Sequence, residues 1–263
     1  MTRVPEITRR PAVPLLALAL LASPVAPRAE EGGASPGGAP NTLTEAERAA
    51  GWRLLWDGRT TRGWRGAKGA AFPEHGWEIG DGVLSVLETG GAESRAGGDI
   101  ITEATYRAFE LKLEFRIAEG ANSGIKYYVD PQLNLKEGSA IGLEYQVLDD
   151  QRHPDARKGR NGNRTLASLY DLIPAAAGKK VNPIGEWNEA RIVSDGKRVE
   201  HWLNGEKVVE YERGSPEFRR LVAGSKYKVW PAFGEKEEGH ILLQDHGNRV
   251  SFRNVKIREP KPE

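Results

Sequence analysis

Residues Phe109–Ile117 read FELKLEFRI, an unbroken alternation of apolar and charged side chains. Only an extended strand turns Phe109, Leu111, Leu113, Phe115 and Ile117 to one side and Glu110, Lys112, Glu114 and Arg116 to the other. The pattern recurs along the chain, at 123–129, 142–148, 188–194 and 198–211, and in two closing segments, HILLQDHG and VSFRNVKI. Two signals join strands into hairpins: Gly80-Asp81-Gly82 within 76–87, and Asn204-Gly205 between VEHWL and KVVEY. A short helix is expected after Thr44, where an N-cap is followed by Glu47 and a Gly51 stop. Ten or more strands with little helical periodicity predict an all-β sandwich. No 20–50-residue period recurs, which excludes propellers and solenoids.

The first 29 residues read as an export signal: Arg3, Arg9 and Arg10, an apolar run over 13–22, then small residues with Ala26 or Ala29 as cleavage points. The apolar run is shorter than the roughly 20 residues a span needs. Export to the periplasm or outside the cell is therefore expected, with no membrane span after processing. The chain has no cysteine, so it has no lipid-anchor site and no disulfide, and a conventional core must stabilise it. Residues 30–43 read as a flexible linker and 44–260 as one domain. Residues 1–29 carry four arginines and one glutamate, so the formal charge of +1 becomes −2 without them. That balance points away from a nucleic-acid partner.

The segment Gly142–Asp155, GLEYQVLDDQRHPD, concentrates the chemistry. Strand alternation puts Glu144 and Gln146 on one face and Leu143, Tyr145 and Val147 on the other. The following loop adds Asp149, Asp150, His153 and Asp155. The same logic selects Lys126, Glu189 with Arg191, and Gln244 with His246 as residues of polar faces. His201 alternates with Trp202, and Tyr170 sits in the long irregular stretch 149–186. Trp187, Trp202 and Trp230 are expected in the core.

The order LLWDGRTTRGW, NSGIKYYV, IGLEYQVLDDQRHPD, SLYDLIP, GEWNEARIV, VEHWLNGEKVVEY and VSFRNVKIRE resembles the 3-keto-disaccharide hydrolase domain family over about residues 51–259. The resemblance implies a concanavalin A-like, jelly-roll sandwich of two curved antiparallel sheets. It also implies cleavage of glycosides whose sugar is oxidised at C3, with an oxidised saccharide as the partner.

Retaining glycosidases need two carboxyl groups about 5–5.5 Å apart, and inverting enzymes about 6.5–9.5 Å. The position two after Glu144 is Gln146, so this strand lacks such a pair. A 3-keto sugar does not require one, because its carbonyl acidifies the C2 hydrogen and the C1 substituent leaves by elimination. That chemistry needs a base (Glu144 or His201), an acid (His153 or His246) and a stabiliser of the enolate oxygen (Lys126, Arg191 or a cation). Gln146, Tyr170, Glu189, Gln244 and His246 are the remaining substrate-contact candidates. A Ca²⁺-type ion is an expected cofactor, with Glu144, Asp149, Asp150, His153 and Asp155 as candidate ligands. The competing reading is a non-catalytic carbohydrate-binding module on the same fold.

Overall fold

The computed structural model describes Met1 and residues 39–136, 138–230 and 232–260. The expected export signal lies outside the described residues, as does most of the linker. Helix α1 (Glu45–Ala49) starts at Thr44, whose side chain and that of Glu47 cap each other's backbone amides. Among the described residues thirteen strands follow: β1 (Arg53–Leu54), β2 (Trp64–Gly66), β3 (Trp77–Gly80), β4 (Val83–Val86), β5 (Ile100–Thr102), β6 (Phe109–Ile117), β7 (Asn122–Asp130), β8 (Ile141–Leu148), β9 (Asn188–Ser194), β10 (Arg198–Leu203), β11 (Glu206–Glu212), β12 (His240–Leu243) and β13 (Val250–Arg258). A second helix, α2 (Pro216–Ala223), was not anticipated, although Ser215 caps it, Pro216 opens it and Gly224 ends it.

The strands form two antiparallel sheets. The larger runs β11-β10-β9-β6-β13-β4-β3, with β1 also on β13, and the smaller runs β2-β5-β12-β7-β8. This is the concanavalin A-like sandwich. Both turn signals close hairpins. Asp81 and Gly82 join β3 to β4, and Asn204 (φ 48) and Gly205 (φ 83) join β10 to β11. Positive φ at both central positions matches the right-handed twist of the flanking strands.

The apolar sides of the strands meet between the sheets. Phe109, Leu111, Leu113 and Phe115 of β6 face Ile125 and Tyr127 of β7 and Leu143, Tyr145 and Val147 of β8 in one buried cluster. Each large side chain removed from water here stabilises the fold by about 1.5–3 kcal/mol.

Strand β8 is an edge strand. The irregular stretch after it covers that edge: Gln146 N–H donates to Ser168 O, Ala167 N–H to Gln146 O, and Tyr170 N–H to Glu144 O. An unpaired edge is a template for aggregation, and covering it removes that hazard. The same contacts carry Tyr170 to the side of β8 where Glu144 lies.

Candidate active site

Strands β7 and β8 set the geometry. Their register opposes Gly124 to Gln146, Ile125 to Tyr145, and Lys126 to Glu144. Ile125 and Tyr145 enter the core, so Gly124, Lys126, Glu144 and Gln146 share the opposite face, outside the sandwich. Lys126, Glu144 and Gln146 floor a cleft of about 270 Å³, with Asn122, Gln244 and His246 also lining it and Glu93, Tyr170, Lys226, Tyr227 and Trp230 contributed by segments between the strands.

Glu144 is buried, and its Oε2 lies 3.7 Å from Lys126 Nζ. Burial raises the carboxyl above its ordinary range, against the pull of Lys126 and Lys226; Glu93 and Asp99 add to the rise. A base with a raised pKa operates closer to neutral pH. Lys126 Nζ also donates to Ala140 O (3.1 Å) and to Ser139 Oγ, which fixes the ammonium in place. Gly124 makes room for this arrangement, since a Cβ there would strike the Glu144 carboxylate.

The cleft wall is held by a chain of polar contacts. Tyr170 OH donates to Asp155 Oδ2 at 2.7 Å, and Arg164 bridges Asp155 (3.0 Å) and Asp171 (2.7 Å). Asp171 then accepts from the Lys226 backbone N–H at 2.8 Å. Lys226 is solvent-accessible at the cleft mouth, with Nζ 4.2 Å from the Tyr170 ring centre. The surrounding protein still desolvates it enough to lower its pKa.

At the Asn122 end of the cleft, Gln244 Nε2 donates to Glu93 Oε1 at 3.2 Å. Three side-chain atoms, Asn122 Oδ1, Gln244 Oε1 and His246 Nδ1, are buried without a hydrogen-bond partner among the described residues. Such atoms are rare in folded proteins, and all three belong to cleft-lining residues. Of the two histidines expected as acids, His246 lines the cleft. His153 packs edge-on behind it, ring centres 5.8 Å apart, and its Nδ1 accepts from Asp155 N–H.

Three expected site residues lie elsewhere. His201 is 0 % exposed and points between the sheets, where its Nδ1 donates to Ala167 O (3.0 Å) and its Nε2 accepts from Tyr127 OH (2.7 Å). Burial lowers its pKa to about 4, so it is a neutral core histidine without access to the cleft. Glu189 and Arg191 lie on the outer face of the larger sheet, paired with Lys112 and Glu110. That face is polar because it meets water, which is the property that made the two residues look like site candidates. Trp187 and Trp202 also lie half-buried there, beneath Arg116 and Arg253 and beneath Arg191. Trp230 is half-buried too, but in the cleft wall. None of the three is fully in the core.

The carboxylates of the acidic loop are engaged by protein groups. Asp149 accepts from the amides of Gly120 and Gln151. Asp150 accepts from Leu166 N–H and pairs with Lys179. Asp155 is held by Tyr170 and Arg164. Each carboxylate has its partners, and no group of three His, Asp or Glu converges for a metal among the described residues. These residues order the loop that covers β8.

The cleft also contains residues not expected from the sequence: Glu93, Asn122, Lys226, Tyr227 and Trp230. Asn122 was open to detection, being in phase with Gly124 and Lys126 on β7. The others come from segments between the strands, where no periodicity exists to read.

Residues 51–258 match the family of 3-keto-alpha-glucoside-1,2-lyase-like domains. A protein of Bacteroides thetaiotaomicron named 3-keto-disaccharide hydrolase is 38% identical over 230 residues, covering 80% of this chain and 79% of its own length. Two solved structures from Parabacteroides distasonis ATCC 8503, both named as glycosyl hydrolases, share the fold. One has a TM-score of 0.73 at 32% identity, covering 84% of this chain and 100% of its own. The other has a TM-score of 0.60 at 28% identity, covering 80% and 99%.

Proposed function

The chain belongs to the 3-keto-alpha-glucoside-1,2-lyase-like domain family, and from that premise we propose that it cleaves glycosides oxidised at C3, by elimination, after export from the cytoplasm. It is a glycoside-cleaving enzyme. The observation that carries the finer reading is the Glu144–Lys126 pair: one buried carboxylate of raised pKa beside one fixed ammonium, with Gln146 where a second strand carboxylate would stand.

In this reading Glu144 removes the proton on C2. The electron pair forms the enolate, whose negative charge develops on the C3 oxygen beside Lys126, with Lys226 at the cleft mouth. The enolate collapses, the C1–O bond breaks, and a C1=C2 double bond forms. The leaving oxygen takes a proton from His246. Addition of water across C1=C2 completes hydrolysis. The steps above use only this chain's own residues.

Glu93 supports a second reading. It places a carboxylate in the same cleft as Glu144, and a conventional two-carboxylate glycosidase needs such a pair. Incubation with a 3-keto-glucoside and with its unoxidised parent separates the two readings. Release of the aglycone from the parent alone rejects elimination. Substrate deuterated at C2 gives a sharper check: product retaining all of the label would also reject it. Cell fractionation and N-terminal sequencing test the export.

A further inference from the structure

Behind Lys126 lies a buried carboxylate outside the cleft lining. Asp99 is almost fully buried at the start of β5. Its Oδ2 accepts from Ser139 Oγ and from Ala140 N–H (3.1 Å), and its Oδ1 from Asp245 N–H (3.0 Å). Ser139 Oγ accepts in turn from Lys126 Nζ, and Lys126 Nζ faces Glu144 Oε2 across 3.7 Å.

The direction of this chain is set by chemistry. An ammonium can only donate, and a hydroxyl has a single proton. Ser139 therefore accepts from Lys126 and passes its own proton towards Asp99, which accepts from Ser139 and two amides together. The result is an ordered line from the interior to the cleft: Asp99, Ser139, Lys126, Glu144. Two carboxyl groups thus flank one lysine along the line.

We propose that Asp99 is a positioning residue for the reaction, acting through Ser139 to hold the Lys126 side chain aimed beside Glu144. This rests on the reading in which Lys126 stabilises the enolate and Glu144 is the base. Asp99 contributes by position and charge and does not touch substrate. The pKa of Glu144 supports the coupling, because the Asp99 charge is among the influences that raise it. The other charged groups facing Glu144 are Lys126 on β7, Lys226 in the turn after α2, and Glu93 in the loop before β5. Burial raises the Asp99 carboxyl above its ordinary range, and Lys126 is the charged group that opposes the rise.

The test is steady-state kinetics on a 3-keto-glucoside across pH, with the wild type and the variants Asp99→Asn, Ser139→Ala and Ser139→Thr. Asp99→Asn is expected to lower kcat on the order of tenfold to a hundredfold with KM little changed. It should also move the acidic limb of the kcat/KM profile to lower pH, since a charge that raises the Glu144 pKa is gone. Ser139→Ala should lower kcat, and Ser139→Thr, which keeps the hydroxyl, should restore it. The serine pair lies on a partly exposed loop and serves if Asp99→Asn fails to fold. Wild-type turnover with both Asp99→Asn and Ser139→Ala at full kcat would overturn the proposal alone. A loss in Asp99→Asn without any shift of the acidic limb, or equal losses in Ser139→Ala and Ser139→Thr, would also overturn it, leaving Asp99 a merely structural group. No turnover by the wild type removes the underlying reading and the proposal with it.

Discussion

Lys126 and Glu144 are directly opposed cross-strand neighbours on β7 and β8, with their charged ends 3.7 Å apart in the floor of the cleft. Both side chains are almost fully buried. A buried pair is costly to break from either side, because the remaining charge has no solvent. Glu144→Gln removes the base while keeping the shape. Its kcat/KM should fall on the order of a hundredfold to ten-thousandfold, and the acidic limb of the wild-type profile should lie above pH 4.5, the ordinary value from which this carboxyl is raised. Activity within a few-fold of wild type would exclude Glu144 as the base.

Lys226 lowers the Glu144 pKa through its charge. Replacing it with methionine removes that charge and keeps most of the length. Ionised Glu144 is then harder to form, so the acidic limb should move to higher pH. A pH–rate profile of Lys226→Met measures this; an unmoved limb would mean the two groups are not coupled.

Gly124→Ala places a methyl group against the Glu144 carboxylate. Overpacking of this kind costs about 1–3 kcal/mol of stability. Here it should also displace the base, so kcat should fall more than the melting temperature alone explains. Thermal melting and kcat measured on the same preparation check it.

His201 separates a core role from a catalytic one. Its folded pKa of about 4 lies below the ordinary 6.5. Below pH 6.5 the unfolded chain takes up a proton that the folded one refuses. The contribution is therefore whole above pH 6.5 and declines as pH falls towards 4, by about 3 kcal/mol in all. His201→Ala should cost about 2–4 kcal/mol at pH 7 through its cavity and the lost bond to Tyr127, while kcat of the folded enzyme stays within a few-fold. Urea unfolding at pH 7 and pH 5, alongside kinetics, tests both halves.

Arg191→Ala removes an ion pair with Glu110 on the far face of the sandwich. Partly exposed pairs of this kind are worth about 0.2–1 kcal/mol. The variant should match wild-type kcat/KM. A tenfold loss would mean that the larger sheet's outer face takes part in the reaction.

Strand alternation carried the fold a long way. It located the central strands and the two glycine-bearing turns, because the period of two and the need for positive φ are properties of the local chain. It also identified the face shared by Lys126, Glu144 and Gln146, since those residues lie on two strands joined in register. What it could not reveal is which polar face encloses a cleft. Glu189 and Arg191 alternate as cleanly as Glu144 and Gln146, yet one set meets water and the other a walled pocket. His201 is in phase with the apolar Val199 and Leu203 on β10, so its inward direction was readable; its distance from the cleft was not. The sequence by itself determined the all-β alternation, the faces of each strand and the absence of a second carboxylate two positions after Glu144 on its strand. Only the tertiary structure decided that loops 149–186 and 226–230 close over the smaller sheet, bringing Tyr170 and Lys226 to Glu144 and setting Asp99 behind Lys126. The physical reason is that alternation is a property of neighbouring residues, whereas a cleft is made by segments far apart in the chain, whose approach depends on how two whole sheets pack.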